Sequence, residues 1–299
     1  MGRSQGITRG ELLVVVGVVF LLVLFLAAML IPTDATVHEL TGRKYCMSNL
    51  SSIGKAITLY GGSNDNRWPW IPNVTSDWSA VPTGTNRAKD PFADPNHPGD
   101  RAITSLMFLL VRENQPAKLF VCPSTDDRKD DNIRDDANAR EGEEPEYLWD
   151  FSHSWNVSYS WQAPIWNGSA CVDGVSQWWN DTVIVADQTP AVAGRPWDNT
   201  AWDPHLKDKQ VRPHMSQNHA RGKHVNVLYV GMNISKADRP DIGDHNDMIY
   251  TASGKADGGS RSATSLRLID HLSARDTFLI GPVPREGDER PAPERDGPP

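Results

Sequence analysis

The most regular pattern in the chain is an uninterrupted apolar run from Leu12 to Ile31, LLVVVGVVFLLVLFLAAMLI, with no charge and only Gly17 to weaken a helix. About 20 such residues suffice to cross a bilayer as an α-helix. Pro32 stops or kinks it. A helical period then resumes. Cys46, Leu50, Ile53, Ile57 and Tyr60 recur at spacings of four and three, so they share one face, while Glu39, Arg43, Lys44 and Lys55 fall elsewhere. Gly61-Gly62 is the predicted end of this second helix.

Beyond it the period changes. Asp65 to Pro98 is loop-rich, and Asp100 is the expected cap of a helix over Arg101–Arg112 that buries Ile103, Leu106, Leu110 and Val111. Lys118–Ser124, KLFVCPS, reads as a short strand. Further strands are predicted at Val157–Gln162, Thr182–Ala186, His224–Val230, Met248–Thr251 and Thr277–Val283. They are short, with long loops and no helices between them, which favours an antiparallel sheet and an α+β fold. Asp126–Glu146 and the tail from residue 284 to 299 carry almost no core residues and are expected to be exposed or disordered.

Charge orients the membrane segment. Arg3 and Arg9 precede the apolar run, and Asp34 and Glu39 follow it, so the N-terminus is expected in the cytoplasm and the globular part outside. The run is long for a cleaved secretory signal, and its exit, AAMLIPTDA, is a poor peptidase site. The net charge of −8 argues against nucleic acid as a partner.

The stretch before the run, Gly6-Ile7-Thr8-Arg9-Gly10-Glu11, resembles the signal of type IV prepilins and type II secretion pseudopilins. The resemblance implies cleavage between Gly6 and Ile7 by a prepilin peptidase and methylation of the new Ile7 amine. It also implies that Glu11, fifth in the mature chain, serves assembly with other pilin or pseudopilin subunits. Physically, a carboxylate at the edge of an apolar helix is costly unless paired, and the amine of an adjacent subunit is a partner for it. Arg9 and Gly10 stand where the family usually has apolar residues, and Ile7 where it has Phe. The domains so implied are a leader (1–6), a transmembrane helix (7–32), an extracytoplasmic pilin-like domain (33–283) and a tail (284–299). The implied fold is pilin-like, with one long N-terminal helix packed on an antiparallel sheet.

The runs CMSNLSSIGKAITLYGGSNDNRWPW, LFVCPS, SYSWQAP, VIVADQTP, SQNHARGKHVNVLYVGMN and DMIYT together resemble one group of bacterial prepilin-like proteins, marked by a His, a spacer and Asp-Gly. Here Val230 replaces that Asp, Met232 replaces the His that follows, and the spacer from His219 is about one residue longer. Three cysteines are too few for a disulfide framework and leave one disulfide and one thiol if the domain is exported. Cys46 and Cys122 lie in the family-like runs and Cys171 does not. The resemblance leans to a Cys46–Cys122 bond, and Cys122–Cys171 stays open.

Candidate chemistry is sparse. No nucleophile elbow, phosphate loop or paired catalytic carboxylates occur, so no enzyme is expected. His205, His214, His219, His224 and His245 lack zinc-ligand spacing, and His219 reads as a loop residue bonded to nearby backbone. Asp241, Asp244, Asn246 and Asp247 offer oxygen ligands to calcium without forming an EF-hand. The 11 tryptophans allow a rival reading, a membrane-anchored surface protein that binds a glycan, although Trp more often staples loops to a core.

Overall fold

The computed structural model describes residues 8–30, 33–71, 81–93, 101–133, 145–162, 165–166, 171–172, 180, 182–188, 207, 215–216, 218–219, 222–243, 249–250, 252–253, 260–261 and 279–285. The chain divides into two units, Met1–Gly42 and Arg43–Pro299. The fold is mixed: an N-terminal apolar helix, further helices and an antiparallel sheet.

In the first unit, α1 (Arg9–Leu30) holds the apolar run. Its large side chains from Leu12 to Leu26 are all exposed. Arg9–Ala27 is long and apolar enough to cross a membrane.

Helix α2 (Thr33–Ser63) supplies the second unit with the apolar stripe read from its period. Cys46, Leu50, Ile53 and Ile57 are completely or almost completely buried. The helix passes Gly61-Gly62 and runs to Ser63. Its stop comes later, at Asp65 and Asn66, both left-handed (φ 55° and 58°), with the Asn66 N–H on the Gly61 carbonyl at 2.8 Å. Short polar side chains tolerate that conformation, so they end the helix where glycine was expected to.

Helix α3 (Thr104–Arg112) begins three residues later than predicted, with Ile103 at its N-cap and no side-chain cap. Arg101 is not its first turn but a fully buried anchor whose Nη1 donates to the Asn86 carbonyl at 2.8 Å. The predicted strand at Lys118–Ser124 is instead a 3-10 turn, Ala117–Phe120, followed by extended Val121.

The strands are β1 (Tyr159–Gln162), β2 (Ile165–Trp166), β3 (Cys171–Val172), β4 (Val183–Asp187), β5 (Val225–Tyr229), β6 (Ile234–Ala237), β7 (Ala252–Ser253), β8 (Ser260–Arg261) and β9 (Leu279–Ile280). The main sheet runs β6-β5-β4-β1-β9, with every pairing antiparallel. Of the strand predicted at Met248–Thr251, Ile249 and Tyr250 form a turn, and β7 starts just after them. Strand β6 was not anticipated. It follows β5 through a tight turn in which Met232 is left-handed (φ 61°).

Both faces of the sheet are covered. One carries Tyr159, Trp161, Ile184, Val185 and Leu228 into a core shared with α2 and α3. The other buries Val183, Ala186, Val225, Val227 and Leu279 with Met215, Ile249 and Tyr250. An irregularity between Val183 and Val185 lets adjacent residues of β4 serve the same core. Gly54 of α2 sets the helix-to-sheet approach, since a Cβ there would stand 3.2 Å from both Leu228 Cδ1 and Met232 Sδ.

Candidate functional site

Two places hold the residues singled out above, and they differ in kind. The first is the start of α1. Gly6 and Ile7 lie outside the described residues. Glu11 is described and is bonded to Thr8. The Thr8 N–H and hydroxyl donate to Glu11 Oε2 at 2.8 and 3.0 Å, and the Glu11 N–H reaches Thr8 Oγ1 at 3.3 Å. This is a reciprocal capping box, which satisfies amides that the first turn leaves without partners. The signal, Thr-x-x-Glu ahead of an apolar run, was in the sequence and was missed. Glu11 therefore has a local role in addition to any role between subunits.

The second place is buried beneath the sheet. Cys46 of α2 is joined to Cys122 by a disulfide, with Cα atoms 5.3 Å apart. Alongside it, Asn49 Nδ2 donates to the Val121 carbonyl at 2.9 Å. Cys171 lies in β3, opposite Trp166. Ser158 holds the cysteine segment to β1. Its Oγ accepts the Cys122 N–H at 2.9 Å and donates to Asp127 Oδ2 at 2.7 Å, and its own N–H donates to the Phe120 carbonyl at 2.8 Å. The Ser158 carbonyl in turn accepts from Asn218 Nδ2 at 2.7 Å, which brings the His219 segment over the same spot.

His219 is the turn residue expected, its carbonyl accepting the Gly222 N–H at 3.1 Å, but its side chain reaches far beyond its neighbours. It has no exposed surface, and its Nε2 lies 3.7 Å from Cys122 Sγ, a contact spanning 97 residues of sequence. The same nitrogen is 3.5 Å from Asp187 Oδ2. Cys46, Cys122 and His219 thus bring their ligand atoms within 4.8 Å of one another. No short motif announces this cluster, which is why spacing rules passed over it.

The cross-strand row explains how Asp187 comes to be there. Tyr159 pairs with Asp187, and the Ala186–Val227 pair puts Asn226 next to it on the other side. All three are fully buried. The Asn226 N–H donates to Asp187 Oδ2 at 2.7 Å, and the Tyr250 hydroxyl donates to the Asp187 carbonyl at 2.8 Å. Burial, then the nearby Asp187 charge, pushes the Tyr159 and Tyr250 phenols above the usual range, so both stay protonated. Asp187 Oδ1 and both side-chain polar atoms of Asn226 have no hydrogen bond among the described residues.

This arrangement does not make a nucleophile–base–carboxylate triad. Sulfur and carboxylate approach the same imidazole nitrogen, whereas a triad needs one on each side of the ring. Cys46, Cys122, His219 and Asp187 themselves have no exposed surface.

The remaining candidates are dispersed. His224 Nδ1 sits 2.8 Å from exposed Asp238, whose carboxyl is held below its usual range by hydrogen bonds from Lys236 and His224. Asp241 is gripped by Arg239, with Nε 3.0 Å from Oδ1 and Nη2 3.1 Å from Oδ2. Asp244, Asn246, Asp247, His205, His214 and His245 lie outside the described residues. Trp68 and Trp161 are buried, and Trp149 is covered by the Arg112 guanidinium 3.5 Å from its ring centre. These rings serve packing rather than an open platform. No family model matches the chain, and no match was found among curated proteins or solved structures.

Proposed function

We propose that the chain is a pseudopilin-like or minor pilin-like structural subunit of pilin-like fold, anchored by α1 in the inner membrane with the globular unit outside the cytoplasm. The leader is removed after Gly6 by a prepilin peptidase, Ile7 is methylated, and subunits assemble by packing their N-terminal helices into a filament of the type II secretion or type IV pilus kind. The observation that carries this reading is α1 itself. Its 19-residue apolar stretch has no buried surface in the monomer, and its only acid, Glu11, stands in the first turn. A helix with such a surface is covered by lipid before assembly and by identical helices after it. A heterologous contact repeated by one helical operator then builds an open filament.

The buried disulfide supports an oxidising compartment for the second unit. The sealed Cys–His–Asp cluster supports a structural rather than catalytic role. Intact mass and N-terminal sequencing of the protein purified from native membranes test the proposal. A chain starting at Ile7 with one added methyl group is the expected result. A chain still starting at Met1 or Gly2 sinks it, and leaves a single-pass anchored protein whose ligand must be sought.

A further inference from the structure

The segment Leu279–Arg285 is strapped across the second unit, and its far end meets a carboxyl with no exposed surface, that of Asp150. We propose that this strap is a proton-released latch: the Arg285 guanidinium, seated beside the ionised Asp150 carboxylate, holds the strap shut, and protonation of Asp150 lets it open.

The strap is fastened at three points. At its start, β9 pairs with Trp161 and Gln162 of β1, and the Leu279 N–H donates to the Ile249 carbonyl at 2.8 Å. In its middle, the Val283 carbonyl accepts the Thr83 N–H at 2.9 Å. At its end, Pro284 and Arg285 are exposed, and the Arg285 guanidinium turns back onto the protein. The atoms nearest to where a Gly84 Cβ would stand are Arg285 Nη2, at 2.6 Å, and the Ser152 and Phe151 carbonyl oxygens, at 2.7 and 3.0 Å. The side chain that Gly84 lacks is thus the notch that takes the guanidinium. The same glycine donates its N–H to Asp150 Oδ2 at 2.6 Å, and the Phe151 N–H donates to Oδ1 at 2.9 Å.

Charged groups face Asp150 from each element packed against it. Arg285 comes from the strap and Arg101 from the approach to α3. Arg87 comes from the turn after Thr83, its Nε donating to the Asp150 carbonyl at 3.2 Å. Asp90 in that turn acts on Arg101, and Asp130 Oδ2 accepts the nearby Ser152 N–H at 2.6 Å. Burial pushes the Asp150 carboxyl up to about 7, and Arg285 pulls it the other way. The donors Thr104, Gly84 and Phe151 and the Arg101 cation belong to the body of the unit, so the carboxyl keeps them when the strap leaves. What it loses is Arg285. A contact that favours the ionised form is itself strengthened by ionisation, so the strap is held above about pH 7 and loosened below it. Unfolding of the whole unit has the opposite dependence, because there the comparison is with a fully hydrated carboxyl. An open strap leaves the Trp161–Gln162 edge of β1 bare, so the latch controls a surface for strand pairing.

The test is native-state hydrogen exchange on the full chain in detergent micelles, at about one pH unit on either side of the Asp150 value, with each amide corrected for its intrinsic rate. Thr83 and Leu279 report the strap, and Ser158, whose N–H donates to the Phe120 carbonyl, reports the body. In the wild type, opening at Thr83 and Leu279 should rise roughly 10-fold from the higher to the lower pH, the factor that goes with a one-unit change in the carboxyl's pKa. Ser158 should stay level or become better protected. Arg285→Gln should open the strap at both pH values and abolish the dependence, and Asp150→Asn should abolish it with Arg285 in place. Arg285 is exposed, so Arg285→Gln decides the matter should Asp150→Asn fail to fold. Three results would each overturn the proposal: strap amides that follow Ser158 at both pH values, strap opening that falls as the pH is lowered, or a dependence that survives Arg285→Gln.

Discussion

Helix α1 and strand β4 are built from the same residues, chiefly Val with Leu or Ile, yet they meet opposite fates. Every residue of β4 is buried, between two cores. Every large apolar side chain of α1 from Leu12 to Leu26 is exposed. The difference is one of partners rather than hydrophobicity. Strand β4 finds its partners within the chain, so its burial is folding energy. Helix α1 buries none of its large apolar side chains from Leu12 to Leu26, so on the proposed function its burial is insertion and assembly energy.

A reciprocal pair of substitutions tests that division most sharply. Ile184→Asp puts a charge between sheet and helices and should cost about 5 kcal/mol or more, enough to unfold the second unit, as read by circular dichroism. Val19→Arg should leave the melting of that unit unchanged while adding about 3 kcal/mol to the cost of membrane insertion, as read by the carbonate-resistant fraction. If Val19→Arg lowers the melting temperature, α1 is packed on the chain after all and the contrast fails.

The disulfide is the next largest effect. Cys46 and Cys122 are 76 residues apart, so loss of the cross-link should cost about 4–5 kcal/mol through the unfolded state's entropy. Denaturant titration of the Cys46→Ser/Cys122→Ser variant measures it.

A pH effect separates the sheet core from its periphery. Asp150 is fully buried, and burial pushes its carboxyl up to about 7 despite hydrogen bonds from Thr104, Gly84 and Phe151 and the nearby Arg285 cation. A carboxyl raised in the folded state favours folding below its unfolded pKa, and that advantage is lost as pH rises towards the folded value. Stability should therefore fall between about pH 4 and pH 7, by no more than about 4 kcal/mol. Asp150→Asn should remove that part of the slope, and an identical slope in the variant would place its origin elsewhere.

The smallest effect concerns the turn that feeds Asp150. Gly84 is left-handed (φ 78°), donates its N–H to Asp150 Oδ2, and leaves only 2.7 Å between an added Cβ and the Ser152 carbonyl oxygen. Gly84→Ala should cost about 2 kcal/mol by thermal melting.

How much of this was legible beforehand depended on the range of the interaction. The buried face of α2 was written in its own period, because Cys46, Leu50, Ile53 and Ile57 answer to a helix repeat and nothing else. The segment around Cys122 was misread because a short apolar run suits a strand and a 3-10 turn equally. Strand β6, Ile-Ser-Lys-Ala, hid behind polar residues suited to a sheet edge. His219 was opaque for a different reason. Its partners, Cys122 and Asp187, come from distant strands and turns, and only the register of the sheet brings them together.

The order β6-β5-β4-β1-β9 has a consequence for a chain synthesised from its N-terminus. Strand β1 is flanked on one side by β4 and on the other by β9, more than a hundred residues downstream. The backbone of Thr83 likewise waits for the Val283 carbonyl, 2.9 Å away. Until Leu279 and Ile280 emerge, Trp161 and Gln162 present a bare strand edge, the kind of template on which chains pair wrongly. Folding of this polypeptide thus passes through an unprotected interval that ends only when β9 arrives, and a truncation before residue 279 would make that interval permanent.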